Sequence, residues 1–396
     1  MRRAVCLVVG CLAAAPAHAE TLHVYSSLPL HGASKEQSQD IVRGIRLALS
    51  QVDGKAGAFD ISYTSLDDST RRAGTWDPAK CSQNARRASA DSATILYIGE
   101  LNSGCSAISI PILNEQNVSQ ISPSNTYNGL TTSEPGTCCG EPDRYYPSGK
   151  RTFVRLPPRD TLQGEALLRL MRGNGCKKVA LANDTETYGQ GIGRVIELVA
   201  PGTGVALTAD VGIDKTASNY RGVAARFRRA HADCFFFGGI TANHAPQLYR
   251  DVHAALPKAR LYGPDGVCEA AFTKRAGTAI RRLFRCSIAT YPLAKYPGGD
   301  TFLDAFAAMF GTRAPHSYAI YGYEAMKLGL DTIAALGSAG NDRESVRQAL
   351  FATRHRASVL GTYSIDSDGD TTLHGFGIYR VAGDGRLVFD RAVQAG

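Results

Sequence analysis

Hydroxyl and amide side chains gather in two short stretches of this sequence, one strand-helix-strand step apart. The span 94–131 reads TILYIGELNSGCSAISIPILNEQNVSQISPSNTYNGLT. A short apolar run ends at Gly99, and a polar loop rich in Ser and Asn follows it; a second apolar run, 118–121, leads into Ser122–Thr126, almost all hydroxyl and amide. Neutral donors of this kind suit an anion. If both loops leave the carboxyl edge of an open parallel sheet, free helix N–H groups join the hydroxyls and outline a carboxylate cradle. The same composition also fits an ordinary surface loop rich in turn-forming residues.

Elements that could position such loops alternate through most of the chain. A strand at 24–27, a turn through Pro29 and Gly32, an amphipathic helix at 37–52 and a strand at 59–66 ending in Asp67-Asp68 come first. Asp77-Pro78 opens a helix in the manner of an N-cap followed by proline at the first position. In the 94–131 span the spacing predicts a helix over 106–115. The stretch 131–151 is irregular, a loop or insertion. A strand at 152–156 stops at Pro157-Pro158, a stiff pair placed where the chain leaves one unit for another, and so a candidate hinge.

A second series follows, with helices expected at 161–172, 188–199, 220–230 and 244–255, and strands at 178–183, 205–209, 234–237 and 260–262. After a strand at 283–288 come coil at 291–299 and helices at 301–310, 318–336 and 343–351. A hairpin-like segment at 362–389 ends the chain. Strands alternating with helices argue for parallel sheets covered on both faces.

The chain of 396 residues is 44% hydrophobic and 20% charged, long enough for two domains. Residues 1–19 read as a secretory signal peptide: Arg2 and Arg3, an apolar run 4–15, and the small-x-small site Ala17-His18-Ala19 before Glu20. Val8-Val9-Gly10-Cys11 is a competing lipoprotein box, which would place a lipid on Cys11. Neither reading supplies the roughly 20 apolar residues of a spanning helix. Without Arg2 and Arg3 the 44 basic residues fall to 42 against 36 acidic ones, a charge of +6. The basic residues are dispersed, which points away from nucleic acid. Eight of the ten cysteines lie beyond the leader, an even count that in an exported chain favours disulfides. Adjacent Cys138 and Cys139 are open between a vicinal bond, separate bonds and free thiols.

No catalytic constellation is legible. The chain lacks a G-x-S-x-G elbow, a phosphate loop and H-E-x-x-H, and Gly189, Gly191 and Gly193 lack the strand turn of a dinucleotide fingerprint. The histidines are scattered, and His31 is open between cleft and solvent. No cysteine or histidine spacing suits zinc. The expectation is therefore a binding protein with no enzyme activity, cofactor or metal.

Taken in order, Gly44 and Leu47, YIGELNSGCS (97–106), ISPSNTYNGLT (121–131), DTETYGQG (184–191), FFGG (236–239), YGPDGV (262–267), YGYEAMKLGLD (321–331) and GTYSIDSDGD (361–370) resemble the periplasmic leucine/isoleucine/valine-binding proteins. These are the solute receptors of amino-acid ABC importers, and the resemblance covers nearly the whole mature chain. It implies the class I binding-protein fold: α/β, two doubly wound parallel-sheet lobes joined by three hinge crossings, with ligand in the cleft between them. Lobe 1 would comprise 20–158 with 289–373, and lobe 2 would comprise 159–288 with 374–396.

By the same resemblance, Ser103, Ser124 and Thr126 would hold the ligand's α-carboxylate, and Asp265 its ammonium, where the best-known members have Glu. Asp160 would approach the amine or cap a helix, and Tyr188 would close the cleft or pack on the surface. Ile240 stands where the family often has an aromatic, the loop near Gln37 also lacks one, and Tyr318 would supply part of the specificity wall. Cys81 with Cys105 would form the family's early disulfide, bracing the first loop; Cys176 with Cys234 and Cys268 with Cys286 are further candidate pairs. The implied function is a monomeric periplasmic or extracytoplasmic receptor that delivers a branched-chain or similar amino acid to a membrane permease. The alternative is a ligand-sensing domain for an amino acid or amide on the same fold.

Overall fold

Strands whose residues are buried throughout set the architecture. The computed structural model of the protein describes residues 19–134 and 136–395; the expected leader, with Cys11, lies outside the described residues apart from Ala19. β1 (Thr21–Leu28), α1 (Lys35–Ser50), β2 (Lys55–Ala56), β3 (Phe59–Asp67), a small hairpin of β4 (Ser69–Thr70) and β5 (Thr75–Trp76), α2 (Pro78–Ala90), β6 (Thr94–Gly99), α3 (Ser103–Asn114), β7 (Ser119–Ser122) and β8 (Phe153–Arg155) build the first unit. Its sheet has the order β2-β3-β1-β6-β7-β8, with parallel pairing from β3 to β8. Every residue of β6 is buried, as a parallel strand covered on both faces must be.

The second unit runs α4 (Asp160–Gly173), β9 (Lys178–Asn183), α5 (Thr187–Thr203), β10 (Ala206–Gly212), α6 (Arg221–Arg229), β11 (Cys234–Gly238), α7 (Ala245–Ala255), β12 (Arg260–Gly263), α8 (Ala270–Ala276) and β13 (Phe284–Ile288). The chain then returns through α9 (Gly299–Phe310), α10 (Ala319–Ala335), α11 (Arg343–Phe351) and the hairpin of β14 (Arg356–Ser358) and β15 (Gly361–Tyr363). It crosses once more into β16 (Gly375–Val381) and β17 (Leu387–Gln394), completing the order β10-β9-β11-β12-β13-β16-β17. Helix α10 packs along α1 with almost no space between backbones: a side chain at Gly44 would collide with the Ala319 carbonyl, and one at Gly322 with that of Ile41. No described helix is long and apolar enough to cross a membrane.

Most expected elements fall where periodicity puts them, and Asp77 caps α2 through the N–H groups of Ala79 and Lys80. Three differ. The segment 362–389 is not one hairpin, because Asp366 turns the chain by accepting the N–H groups of Asp368 and Asp370, each at 2.9 Å. That turn separates β15 from the later hairpin. Strands β16 and β17 pair antiparallel, so the second sheet is mixed. Helix α8 was not expected, and α3 begins at Ser103, three residues early. The early start brings the open end of α3 to the first polar loop.

Two of the three crossings are tied by charge. Arg155, fully buried, places Nε 2.6 Å from Asp370 Oδ1, while Arg159 Nη1 reaches Asp370 Oδ2 at 3.0 Å and its Nη2 reaches Glu134 Oε1 at 2.5 Å. Burial alone would raise the Asp370 carboxyl, yet Arg155 and Arg159 hold it below the ordinary range. Truncating one partner leaves the other charge buried and unpaired, which costs about 3–5 kcal/mol. Asp370→Ala should therefore lower unfolding stability by about that amount in urea titration, and a loss under ~1 kcal/mol would show that water reaches Arg155.

Candidate functional site

The first polar loop owes its donors to helix geometry. The N-cap of α3, Asn102, makes no side-chain capping bond, and the first N–H groups of a helix have no acceptor within it. Among the described residues the Ser103 hydroxyl has no hydrogen-bond partner, and its backbone opens α3. Across the strand edge, Ser124 Oγ donates to the carbonyls of Glu100 and Leu101 at 3.0 and 3.1 Å, and Asn125 Nδ2 donates to Leu101 O at 2.9 Å. Ser124 thus fastens the two loops together, leaving Ser103 and the helix end as donors, while the Thr126 hydroxyl lies close to the Asp160 carboxyl. The Cys81–Cys105 disulfide, Cα atoms 5.5 Å apart, joins α2 to α3 two residues beyond Ser103.

The facing wall comes from the second unit. Asp265 starts a turn after β12, and Tyr188 OH donates to its Oδ1 at 2.7 Å while Tyr318 OH approaches its Oδ2 at 3.5 Å. A side chain at Gly266 would collide with the Gly239 carbonyl and crowd the Tyr188 ring, so glycine is required there. Asp184, fully buried, accepts from the N–H groups of Glu186 and Ile240, each at 3.1 Å, and from Asn243 Nδ2 at 2.8 Å. One carboxyl thereby sets the loops that carry Tyr188 and Ile240. Cys268–Cys286 anchors the Asp265 turn to β13, Cys176–Cys234 links the starts of two neighbouring strands, and Cys138 is bonded to Cys139.

Between these walls lies a narrow cavity that is partly open to solvent. Ser103, Ser124, Thr126, Tyr188, Ile240, Asp265 and Tyr318 all line it. Asp160 stands just behind: its N–H donates to Thr126 O at 2.8 Å. It is the first residue of α4, past the N-cap position, which Arg159 takes. Its carboxyl is fully buried; among the described residues neither oxygen is within hydrogen-bond geometry of a donor, the nearby Thr126 hydroxyl being the group that favours its charged form. Burial and the nearby Asp265 push it well above the usual carboxylate range, and burial likewise raises Asp265 against the pull of Tyr188.

Ser34, Leu101, Asn102, Gly266 and Glu269 also line the cavity, as does Gln37, and sequence reasoning singled out none of them as a ligand residue. For Glu269 a signal existed: it lies four residues past Asp265, about one helical turn, in a segment with no strand pattern. Contacts between the two units flank the cavity. Trp76 Nε1 donates to Glu186 Oε2 at 3.1 Å, Lys215 Nζ meets Glu186 Oε1 at 2.5 Å, and Gly191 lies against the Tyr127 ring with no room for a side chain. Among the described residues, the two groups with three metal-type ligand atoms both draw on cysteines held in disulfides, which cannot supply the thiolate a metal needs.

Beneath the cradle sits a second acid pair. Tyr97 OH donates to Glu100 Oε1 at 2.8 Å, but Glu100 Oε2 and Asp68 Oδ1 have no partner, and both residues are fully buried. Burial raises Glu100 from 4.5 to about 7 and Asp68 well above its ordinary value. A carboxyl raised by folding favours the protonated protein, so its stabilising effect is complete below 4.5 and is lost as pH rises through about 7. Wild type should therefore lose stability relative to Glu100→Gln as pH climbs across that window. Parallel pH profiles for the two proteins in thermal denaturation would remove Glu100 from this role.

The family described as "Periplasmic binding protein" matches residues 26–386 of the chain. A Leu/Ile/Val-binding protein of Rhizobium johnstonii is 24% identical over 381 residues, covering 94% of this chain and 95% of that protein. Among solved structures, the leucine binding protein LivK of Thermotoga maritima superposes with a TM-score of 0.79 at 19% identity, over 94% of this chain and 99% of that one. A solute-binding protein of an ABC transporter from R. palustris, in complex with benzoate, gives 0.76 at 19% identity, over 95% and 97%. At these identities the two structures share the fold with this chain.

Proposed function

We propose a function on one premise: the chain belongs to the periplasmic binding protein family. It is an extracytoplasmic receptor that binds an amino acid, branched-chain or similar, in the cleft and delivers it to an ABC permease. The observation that carries this reading is the charge layout of the cavity. One wall offers hydroxyls and a helix N-terminus, the other offers Asp265 backed by Asp160, and no lysine, arginine or histidine lines the space.

An α-amino acid fits that division. Its carboxylate takes the donors of Ser103, Thr126 and α3, and its ammonium meets the two carboxyls that otherwise lie desolvated together. Benzoate, the ligand of one structural relative, carries an anion and no cation, so Asp160 and Asp265 would oppose it. The Rhizobium johnstonii relative, a Leu/Ile/Val-binding protein, supports the amino-acid class.

Binding proceeds by hinge closure. Ligand held on lobe 1 (20–158 with 289–373) recruits Asp265 and Tyr188 from lobe 2 (159–288 with 374–396), favouring the closed form a permease reads. Pro157 and Pro158 stiffen the first crossing. Export by a leader at 1–19 and a monomeric state complete the proposal.

Calorimetry on protein stripped of carried-over ligand by unfolding and refolding tests it; no heat with any common amino acid would sink the receptor reading. Asp265→Ala should stay folded by circular dichroism and lose about 2–5 kcal/mol of binding free energy. Unchanged affinity would remove Asp265 from the site.

A further inference from the structure

The cavity continues past Asp265. At its far end Ser34 and Gln37, from the start of α1, face Glu269 across the cleft, and Gln37 and Glu269 also border an outer open chamber. Glu269 is half-buried. It occupies the N-cap position of α8 but makes no capping bond; the Thr241 hydroxyl lies near enough to favour its charged form, and among the described residues no lysine, arginine or histidine forms an ion pair with it. Its neighbour Cys268 is bonded to Cys286, so the backbone that carries it is pinned. A carboxylate that borders the cavity with one neutral hydroxyl beside it and no salt-bridge partner is a group that can take a cationic ligand.

The charges give the ligand's chemistry. Ser103, Thr126 and the end of α3 balance an α-carboxylate, and Asp265 with Asp160 balances an α-ammonium. That leaves the negative charge of Glu269 with no counterpart in the cavity. Of the basic residues lining the outer chamber, Lys35, Lys274 and Arg275 are exposed, and His316, partly exposed, is bound to Asp40 at 2.7 Å. Burial pushes the Glu269 carboxyl up to about 7, with the Thr241 hydroxyl and then His316 and Arg275 pulling it down; a cation inside the cavity would keep it ionised. A branched aliphatic side chain would instead press methyl groups against this carboxylate and the Gln37 amide, removing their water without replacing its hydrogen bonds. Leu101, Ile240 and Tyr318 offer apolar surface along which a methylene stem can lie before its charged end reaches Glu269.

We propose that Glu269 determines specificity by binding the far end of the ligand's side chain, and that the ligand is an amino acid whose side chain ends in a cationic donor, as in lysine or arginine. This rests on the amino-acid reading above. It keeps the amino-acid class of that reading and replaces the branched-chain side chain with a cationic one, bound at Glu269.

Calorimetry with L-arginine, L-lysine, L-glutamine and L-leucine on ligand-stripped protein tests it. One of the two basic amino acids should bind at least tenfold tighter than leucine and tighter than glutamine. Glu269→Gln, which keeps the shape, should erase most of that preference, and Glu269→Leu should shift it toward leucine, with folding of both checked by thermal denaturation. If wild type binds leucine or glutamine most tightly, or if Glu269→Gln leaves the arginine-to-leucine ratio unchanged, the assignment is overturned while the amino-acid reading stands. If no amino acid binds, both fall together.

Discussion

Two carboxyl groups share a cleft from which most water has gone, and the rest of the molecule is arranged around that condition. Among the described residues Asp160 keeps both oxygens without a hydrogen-bond partner, and Asp265 is reached by two tyrosine hydroxyls, which soften its charge without neutralising it. A buried acid in this state either takes up a proton or acquires a cation. In a binding protein the ligand supplies the cation, and the free energy of the unpaired acids becomes selectivity for it. Tyr188 and Tyr318 are themselves raised by burial and by Asp265, so they stay hydroxyl donors throughout the physiological range.

The opposite wall works by a different principle. It holds no charged side chain; its positive character comes from oriented N–H groups at the start of α3 and from hydroxyls. A fixed dipole of this kind holds a carboxylate without bringing a lysine or arginine close enough to pair with Asp160 and Asp265. Each wall is also braced from behind. Cys81–Cys105 sits under the cradle and Cys268–Cys286 under the acid turn. Asp184 gathers the Tyr188 and Ile240 loops; burial and Glu186 raise its carboxyl to about 6. Preorganised donors and acceptors lose little freedom on binding, so more of each contact is retained as affinity.

Closure joins the two walls through contacts remote from the ligand. Trp76, the single tryptophan, stands on the small hairpin of the first unit, donates to Glu186 and packs on a core cluster of the second. On the far side of the cleft, Arg155, Asp370, Arg159 and Glu134 link two crossings to the 131–151 insertion, which is itself ordered by Glu141 accepting from Tyr127 and Tyr145 at 2.6 and 2.5 Å. These pairs are buried or nearly so, and they act as stops that define where the units come to rest rather than as sources of large net stability.

The sequence by itself determined the alternation of strands and helices, the N-cap at Asp77, the two polar loops and, through its resemblance, most of the residues around the cavity. Those are local properties: periodicity and capping depend on a few neighbouring residues and the fixed geometry of the backbone. Tertiary structure alone decided what faces what. It split the expected terminal hairpin in two, because the Asp366 turn docks on the first unit beside Phe153. It tied Ser124, which also lines the cavity, to carbonyls more than twenty residues away. It buried Glu100 against Asp68, and it put Glu269 opposite Gln37. None of these pairings has a spacing that a linear pattern can carry. A charge becomes a site only when folding removes its water and leaves it without a partner, and that is a property of the assembled cleft.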